Sequence, residues 1–214
     1  MAREHDRRER EFQNADGSIE RYFRELSSLI PRLPYRSLTT IVDIFLRAFA
    51  EQRTIYVFGN GGSAASASHL MCDINKGATD LDAVRRPKVM SLTDNVSLIS
   101  AWANDYGYER IFSEQLKTFV RPRDIAFAIS TSGDSPNVLL ALETAREHGA
   151  MTVGLAGCKG GQMKTLCDVC AIVPSDNVQM VEDLHVAALH SIFTAVRESL
   201  HAAAATVLAR AASF

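Results

Sequence analysis

The sequence predicts a three-layer α/β/α sandwich on a five-stranded parallel sheet, and three observations carry that reading. Short apolar runs rich in β-branched residues recur near 54–59, 88–92, 124–130, 151–156 and 168–173, each followed by a helical stretch. The runs are continuously apolar rather than alternating, as in parallel strands covered by helices on both faces. The loops after the first and third runs are rich in glycine and hydroxyl residues and open helices; in open parallel sheets, ligands bind beyond such C-terminal strand ends.

Taken in order, residues 12–33 and 36–52 read as two helices separated by Pro34, the second carrying Ile41, Ile44, Phe45 and Phe49 at helical spacing. Further helices are expected at 62–76, 95–103 with 108–120, 135–148, 160–166 and 178–205. Residues 1–35 form a helical extension, 36–200 the α/β domain, and 201–214 an alanine-rich tail that continues the last helix and then frays. The apolar stripes of the first fifty residues need cover that a complete sandwich does not offer, so packing against neighbouring subunits is expected.

Composition narrows the function classes. With 47% hydrophobic residues, 22% charged residues and a formal net charge of −2, the chain is neither a disordered segment nor a sequence-independent nucleic-acid binder. No window approaches the roughly eighteen apolar residues of a membrane span. The charged start (Arg3, Glu4, Asp6, Arg7, Arg8, Glu9, Arg10) lacks the apolar centre of a signal peptide, so a cytoplasmic protein is expected. Cys72, Cys158, Cys167 and Cys170 are then thiols. Cys167-Asp168-Val169-Cys170 is formally a CxxC, but it runs into Ala171-Ile172-Val173 and reads as part of a buried strand rather than as a redox or zinc motif.

Three constellations carry chemistry. In the first, Tyr56-Val57-Phe58 leads into Gly59-Asn60-Gly61-Gly62-Ser63, where glycines permit a sharp turn and leave helix-start N–H groups open to an anion. On the helix that follows, His69 and Asp73 stand at i and i+4, on one face, and can point at one ligand or metal. The second is Ser130-Thr131-Ser132-Gly133-Asp134-Ser135-Pro136, four hydroxyls around one glycine at a helix start. An N-cap explains one hydroxyl and leaves three for phosphate oxygens. Neither loop is a Walker motif or a dinucleotide fingerprint. The third is Glu182 and His190, eight residues apart on the last helix and roughly 80° apart at about 100° per residue, able to flank one site or to be a solvated face.

From about residue 36 to 200 the chain resembles the sugar-isomerase (SIS) domain family, and within it the bacterial phosphoheptose isomerases, which act on sedoheptulose 7-phosphate. The matching pieces are Gly59-Asn60-Gly61-Gly62-Ser63-Ala64-Ala65 with His69, Asn104-Asp105-Tyr106-Gly107, Ser130-Thr131-Ser132-Gly133-Asp134-Ser135-Pro136-Asn137-Val138, Thr152-Val153-Gly154-Leu155, Cys167-Asp168-Val169 and Val173-Pro174-Ser175. The resemblance implies a flavodoxin-like sheet with extra N-terminal helices, assembled as a homotetramer with active sites between subunits. It implies phosphate binding at Ser63, Ser130, Ser132 and Ser135 with Thr131 and the Gly61-Gly62 turn beside them, and substrate contacts at Asn60 and Asp94. It further implies zinc held by His69, Asp73, Glu182 and His190, with Asp73 and His190 as the catalytic acid-base pair.

The chain departs from the family pattern at three positions: Asp73 stands for a glutamate, Glu182 for a glutamine, and Gly77, beside Lys76, for an arginine. The expected activity is an aldose–ketose isomerisation of sedoheptulose 7-phosphate or a related long-chain sugar phosphate through an enediol. Two alternatives are a non-enzymatic binding protein of the replication-initiator-associating type and an isomerase of a modified heptose or octose phosphate. No nucleic-acid or membrane partner is expected.

Overall fold

The structure, a computed structural model, describes residues 15–211. They fall into two compact units divided between Leu33 and Pro34. The first contains α1, Ala15–Leu29, and a 3₁₀ turn, Ile30–Arg32. The sequence places this helix at 12–33, of which 12–14 lie outside the described residues; Pro31, at the first turn of the 3₁₀ segment, cannot donate the N–H that continued α-helix needs. Ile19 and Phe23 stay more than half exposed on this unit.

The second unit opens with α2, Tyr35–Glu51, whose buried Leu38, Ile41, Ile44, Phe45 and Ala48 follow the helical period. The five strands are β1 Thr54–Gly59, β2 Lys88–Ser91, β3 Ile125–Ser130, β4 Met151–Ala156 and β5 Val169–Ile172. All pair in parallel, in the order β2-β1-β3-β4-β5, as the apolar runs predict. The chain winds from β1 outward to β2 and then crosses to β3 on the other side of β1, so the topological switch lies between β1 and β3. Gly59, the last residue of β1, pairs with Ile129, one residue before the end of β3.

The pleat sorts the core into two layers. Ile55, Val57, Ile125, Phe127, Ile129, Val153 and Leu155 face α2, α3 (Gly62–Gly77) and α8 (Val178–Ala211), with Phe45 edge-on to Phe127 at 5.7 Å between centroids. Tyr56, Phe58, Ala126, Ala128 and Ala156 face the opposite layer of α5 (Ser113–Phe119), α6 (Pro136–Glu147) and α7 (Met163–Leu166). On β3 and β4 this face presents Ala126, Ala128 and Ala156, which leave room for α6 against the sheet. Truncating a fully buried phenylalanine such as Phe58 or Phe127 costs about 3–5 kcal/mol in comparable cores.

Three boundaries differ from the sequence reading. α4 runs Val96–Tyr106 and a 3₁₀ turn Tyr108–Arg110 precedes α5, because Gly107 at φ +100° breaks the helix. α7 starts at Met163 rather than near 160, since Gly160 and Gly161 are left-handed. α8 continues past 205 to Ala211 through the alanines, the strongest helix formers. Cys170 lies in β5 and Cys167 just before it, both half-buried thiols with their sulfurs over Gly154. A hydrogen bond between them lowers Cys170 and raises Cys167 from their ordinary pKa. Among the described residues no helix is long and apolar enough to cross a membrane.

Gly133 is left-handed at φ +71°, and a Cβ there would meet the Gly160 carbonyl oxygen at 2.2 Å, a backbone clash that cannot relax locally. Gly133→Ala should cost about 3 kcal/mol or more in urea unfolding, whereas Gly62→Ala, which meets only the end of the Glu182 side chain, should cost about 1 kcal/mol. His185 on α8 is 1% exposed and neither ring nitrogen has a hydrogen-bond partner among the described residues. Desolvation lowers its pKa from 6.5 to about 4, with the Ala156 carbonyl opposing weakly. The unfolded chain therefore takes up this proton first, and stability should fall by about 3 kcal/mol as the pH drops from about 6.5 to 4. In His185→Leu that part of the pH dependence should vanish from urea midpoints measured across the same range.

Candidate active site

The β1–α3 turn is crowded on one side and open on the other. A Cβ at Gly59 would lie 2.5 Å from the Ile129 carbonyl oxygen and 2.8 Å from Ser63 Cβ, so only glycine lets the turn press against the end of β3. Gly61 adopts φ +54° and caps α3. The first amides to find acceptors at this helix start are Ala64, to Asn60 and Gly61, and Ala65, to Gly61, so the N–H groups of Gly62 and Ser63 stand ahead of the helical ladder. Ser63 is buried beside them.

The β3–α6 loop closes a ring of hydroxyls. Ser130 Oγ lies 3.4 Å from Ser132 Oγ and 3.3 Å from Ser135 Oγ, and it accepts from the Gly133 N–H at 3.2 Å. Ser132 Oγ accepts from Asp134 N–H at 3.2 Å. Ser135 is the N-cap of α6 and its side chain makes no cap bond, so that hydroxyl turns into the ring. Thr131 contributes its carbonyl, which accepts from Gly157 N–H at 3.1 Å and fixes the loop to the end of β4. Asp134 Oδ1 accepts from Gln162 N–H at 2.9 Å, which turns that carboxylate out of the ring. Three converging hydroxyls at a helix N-terminus form an anion cradle without a cation.

The two loops are tied by a reciprocal amide pair. Asn60 Nδ2 donates to Asn137 Oδ1 at 2.9 Å, and Asn137 Nδ2 donates to Asn60 Oδ1 at 2.8 Å. The Tyr108 hydroxyl donates to the same Asn60 oxygen at 3.2 Å. Asn137 and Tyr108 are functional neighbours that the site reading of the sequence passed over. No local signal in the sequence marks them: Asn137 is 2% exposed and its buried amide needs partners, but that burial exists only in the fold.

A second group forms where α3 runs beside α8. His69 Nε2 lies 3.5 Å from Asp73 Oδ2, His190 Nε2 lies 3.8 Å from the same oxygen, and the two imidazole nitrogens are 3.4 Å apart. Three donors bound at about 2.0–2.1 Å to a tetrahedral ion stand about 3.3 Å apart. The three edges come within half an ångström of that, and two imidazoles with a carboxylate suit zinc. The histidines are about half exposed and Asp73 a quarter, so the cluster opens outward.

Glu182 is not in this group. Eight residues of helix separate it from His190, about 12 Å along the axis at 1.5 Å per residue, and its carboxylate lies instead over Gly62, 2.6 Å from where a Cβ would be. It shadows the start of α3, between the hydroxyl loops and the histidines. Gly77 sits against the Phe193 ring, 3.1 Å from a Cβ position, so this α3–α8 contact has closed the space a longer side chain would use. Asp94 Oδ1 accepts from Ser91 at 2.9 Å, from Thr93 at 3.2 Å and from Ser68 in a close bond. Those three hydroxyls fix the carboxylate between the end of β2 and α3, one residue along from His69.

Comparison with known proteins agrees with this architecture. The SIS domain model matches residues 21–157. A phosphoheptose isomerase of Trichlorobacter lovleyi is 38% identical over 162 residues, covering 75% of this chain and 81% of that protein. One of Pelobacter propionicus is 36% identical over 179 residues, covering 84% and 94%. The solved phosphoheptose isomerase of Neisseria gonorrhoeae superposes with a TM-score of 0.80 at 25% identity, over 86% of this chain and 99% of that one. The five-stranded parallel sheet, the two loops at its switch point and these relatives together place the chain in the SIS domain family, as a sugar-phosphate isomerase of the phosphoheptose isomerase branch.

Proposed function

We propose that the chain interconverts sedoheptulose 7-phosphate and the corresponding aldose phosphate. The observation that carries this reading is the placement of His69 and Asp73 on α3, the helix that begins at the phosphate-competent β1–α3 turn, with His190 of α8 brought against them, so that one open-chain ligand can span both. The phosphate would sit on the hydroxyls of Ser130, Ser132 and Ser135 with Thr131 and Ser63, and against the Gly61-Gly62 turn. Asn60, pinned by Asn137 and Tyr108, and Asp94 would then face the sugar hydroxyls.

At the other end Asp73 takes a proton from C1 of the ketose while His190 protonates O2, which gives the 1,2-enediol. Asp73 returns the proton to C2 as His190 removes the one on O1, leaving the aldehyde at C1. His69, Asp73 and His190 are the residues that would hold zinc. A bound divalent cation would supply polarisation of the carbonyl and stabilise the developing oxyanion. Glu182, over Gly62, completes the wall between the two ends and adds negative charge that favours a cation nearby. The half-exposed histidines leave room for a neighbouring subunit to close the site, in keeping with a homotetramer. Four free cysteines accord with a cytoplasmic setting.

Assay of the purified protein with sedoheptulose 7-phosphate should show turnover, and Asp73→Ala should lower kcat about a hundredfold or more with KM changed little. Equal turnover in both proteins would remove Asp73 from the chemistry. Elemental analysis should find one divalent metal per chain in the wild type and none in His69→Ala. Dialysis against a chelator should abolish activity, and added zinc should restore it.

A further inference from the structure

At the N-terminal edge of the sheet, the end opposite the hydroxyl loops, lies a cavity of about 410 Å³. Its floor is apolar, from Ile44 of α2 to Met151 of β4, and its rim carries the guanidiniums of Arg47, Arg53 and Arg123. Cavities of roughly 300–1,000 Å³ with an apolar floor and a few polar groups are the usual size for small-molecule ligands.

The charges do not cancel. Glu51 makes a close ion pair with Arg123 and stands 3.8 Å from Arg53 Nε. Asp168, also on the wall, is engaged by the Thr152 N–H at 2.8 Å and the Thr152 hydroxyl at 3.1 Å. Arg47 has no carboxylate partner among the described residues. Arg53 Nε is shut off from solvent and makes no hydrogen bond. Three guanidiniums thus face two carboxylates, and one buried N–H donor is unspent.

The backbone supplies an independent observation. Arg123 holds φ +74° and Gln52, next to Arg53, holds φ +56°. Both are left-handed positions where glycine would be relaxed and any other residue is strained. The turn at 121–124 is anchored by Arg123 N–H to the Gly149 carbonyl at 2.8 Å, so the strained conformation is fixed and the Arg123 side chain is held at the rim.

We propose that this arginine-rimmed cavity is a second anion site, separate from the hydroxyl loops, which takes a phosphomonoester carrying an apolar body, such as a nucleoside monophosphate. Guanidiniums clamp phosphoryl oxygens in pairs, and the floor covers the rest of the ligand. The site does not depend on the isomerase reading and would stand without it.

The test uses the full-length protein with adenosine 5′-monophosphate and inorganic phosphate as probes, followed by calorimetry and by hydrogen exchange of individual segments. Adenosine 5′-monophosphate should slow exchange at 47–53 and 121–125. In the double variant Arg47→Met, Arg123→Gly its affinity should fall about tenfold or more, while KM for the sugar phosphate stays within about twofold. Arg123→Gly relieves the left-handed strain, so urea unfolding should find the variant no less stable than the wild type. Equal protection by inorganic phosphate would support a site that reads the phosphoryl group alone, and protection by the nucleotide only would support one that also uses the floor. No protection of these segments at millimolar nucleotide, or equal affinity in wild type and variant, would overturn the proposal.

Discussion

The candidate active site depends on the alignment of two strand ends. β1 stops at Gly59 and β3 one residue beyond its partner Ile129, and the absence of a side chain at Gly59 lets the two departing loops touch. The Asn60–Asn137 amide pair then locks one loop to the other across the switch point. Two neutral hydrogen bonds contribute only about 1 kcal/mol each, but leaving the buried Asn137 amide unpaired would cost more than the bonds return. This asymmetry sets the relative position of α3 and α6, and hence of every hydroxyl and imidazole that those helices carry.

α3 starts beside Glu182 of α8, and its eighth residue, His69, reaches His190 of the same helix, so the two helices run in the same direction. Their levels divide the labour: hydroxyls and glycines at the start, imidazoles and a carboxylate about two turns along. Asp73 is shorter by one methylene than the glutamate expected from the family pattern, yet its Oδ2 lies within 4 Å of both imidazoles. The close approach of α3 to α8, marked by Phe193 against Gly77, accompanies the shorter acid.

Much of the fold was legible because continuous apolar runs and loop glycines are local signals. The five strands and the two hydroxyl loops fall where periodicity put them. His69 and Asp73 sharing a face was legible too, from their spacing alone. The separation of Glu182 from the imidazoles was not, because angular position on a helix says nothing about where a flexible carboxylate rests among its neighbours. Nor was the Asn137 contact with Asn60, which spans seventy-seven residues and exists only once β1 and β3 are paired. The helix stop at Gly107 and the late start of α7 after Gly160 and Gly161 depend on left-handed backbone that composition hints at but does not locate.

The small side chains under α6 have an effect beyond packing. Ala126, Ala128 and Ala156 let that helix lie low on the sheet, and its first residues deliver Ser135 and Asn137 to the loops. Adding even a methyl group to this floor would lift the start of α6 before it loosened the core as a whole. A mutational scan should therefore find these alanines behaving as affinity determinants at a distance, their enlargement raising the substrate concentration needed for half-saturation in proteins that still melt as cooperative units.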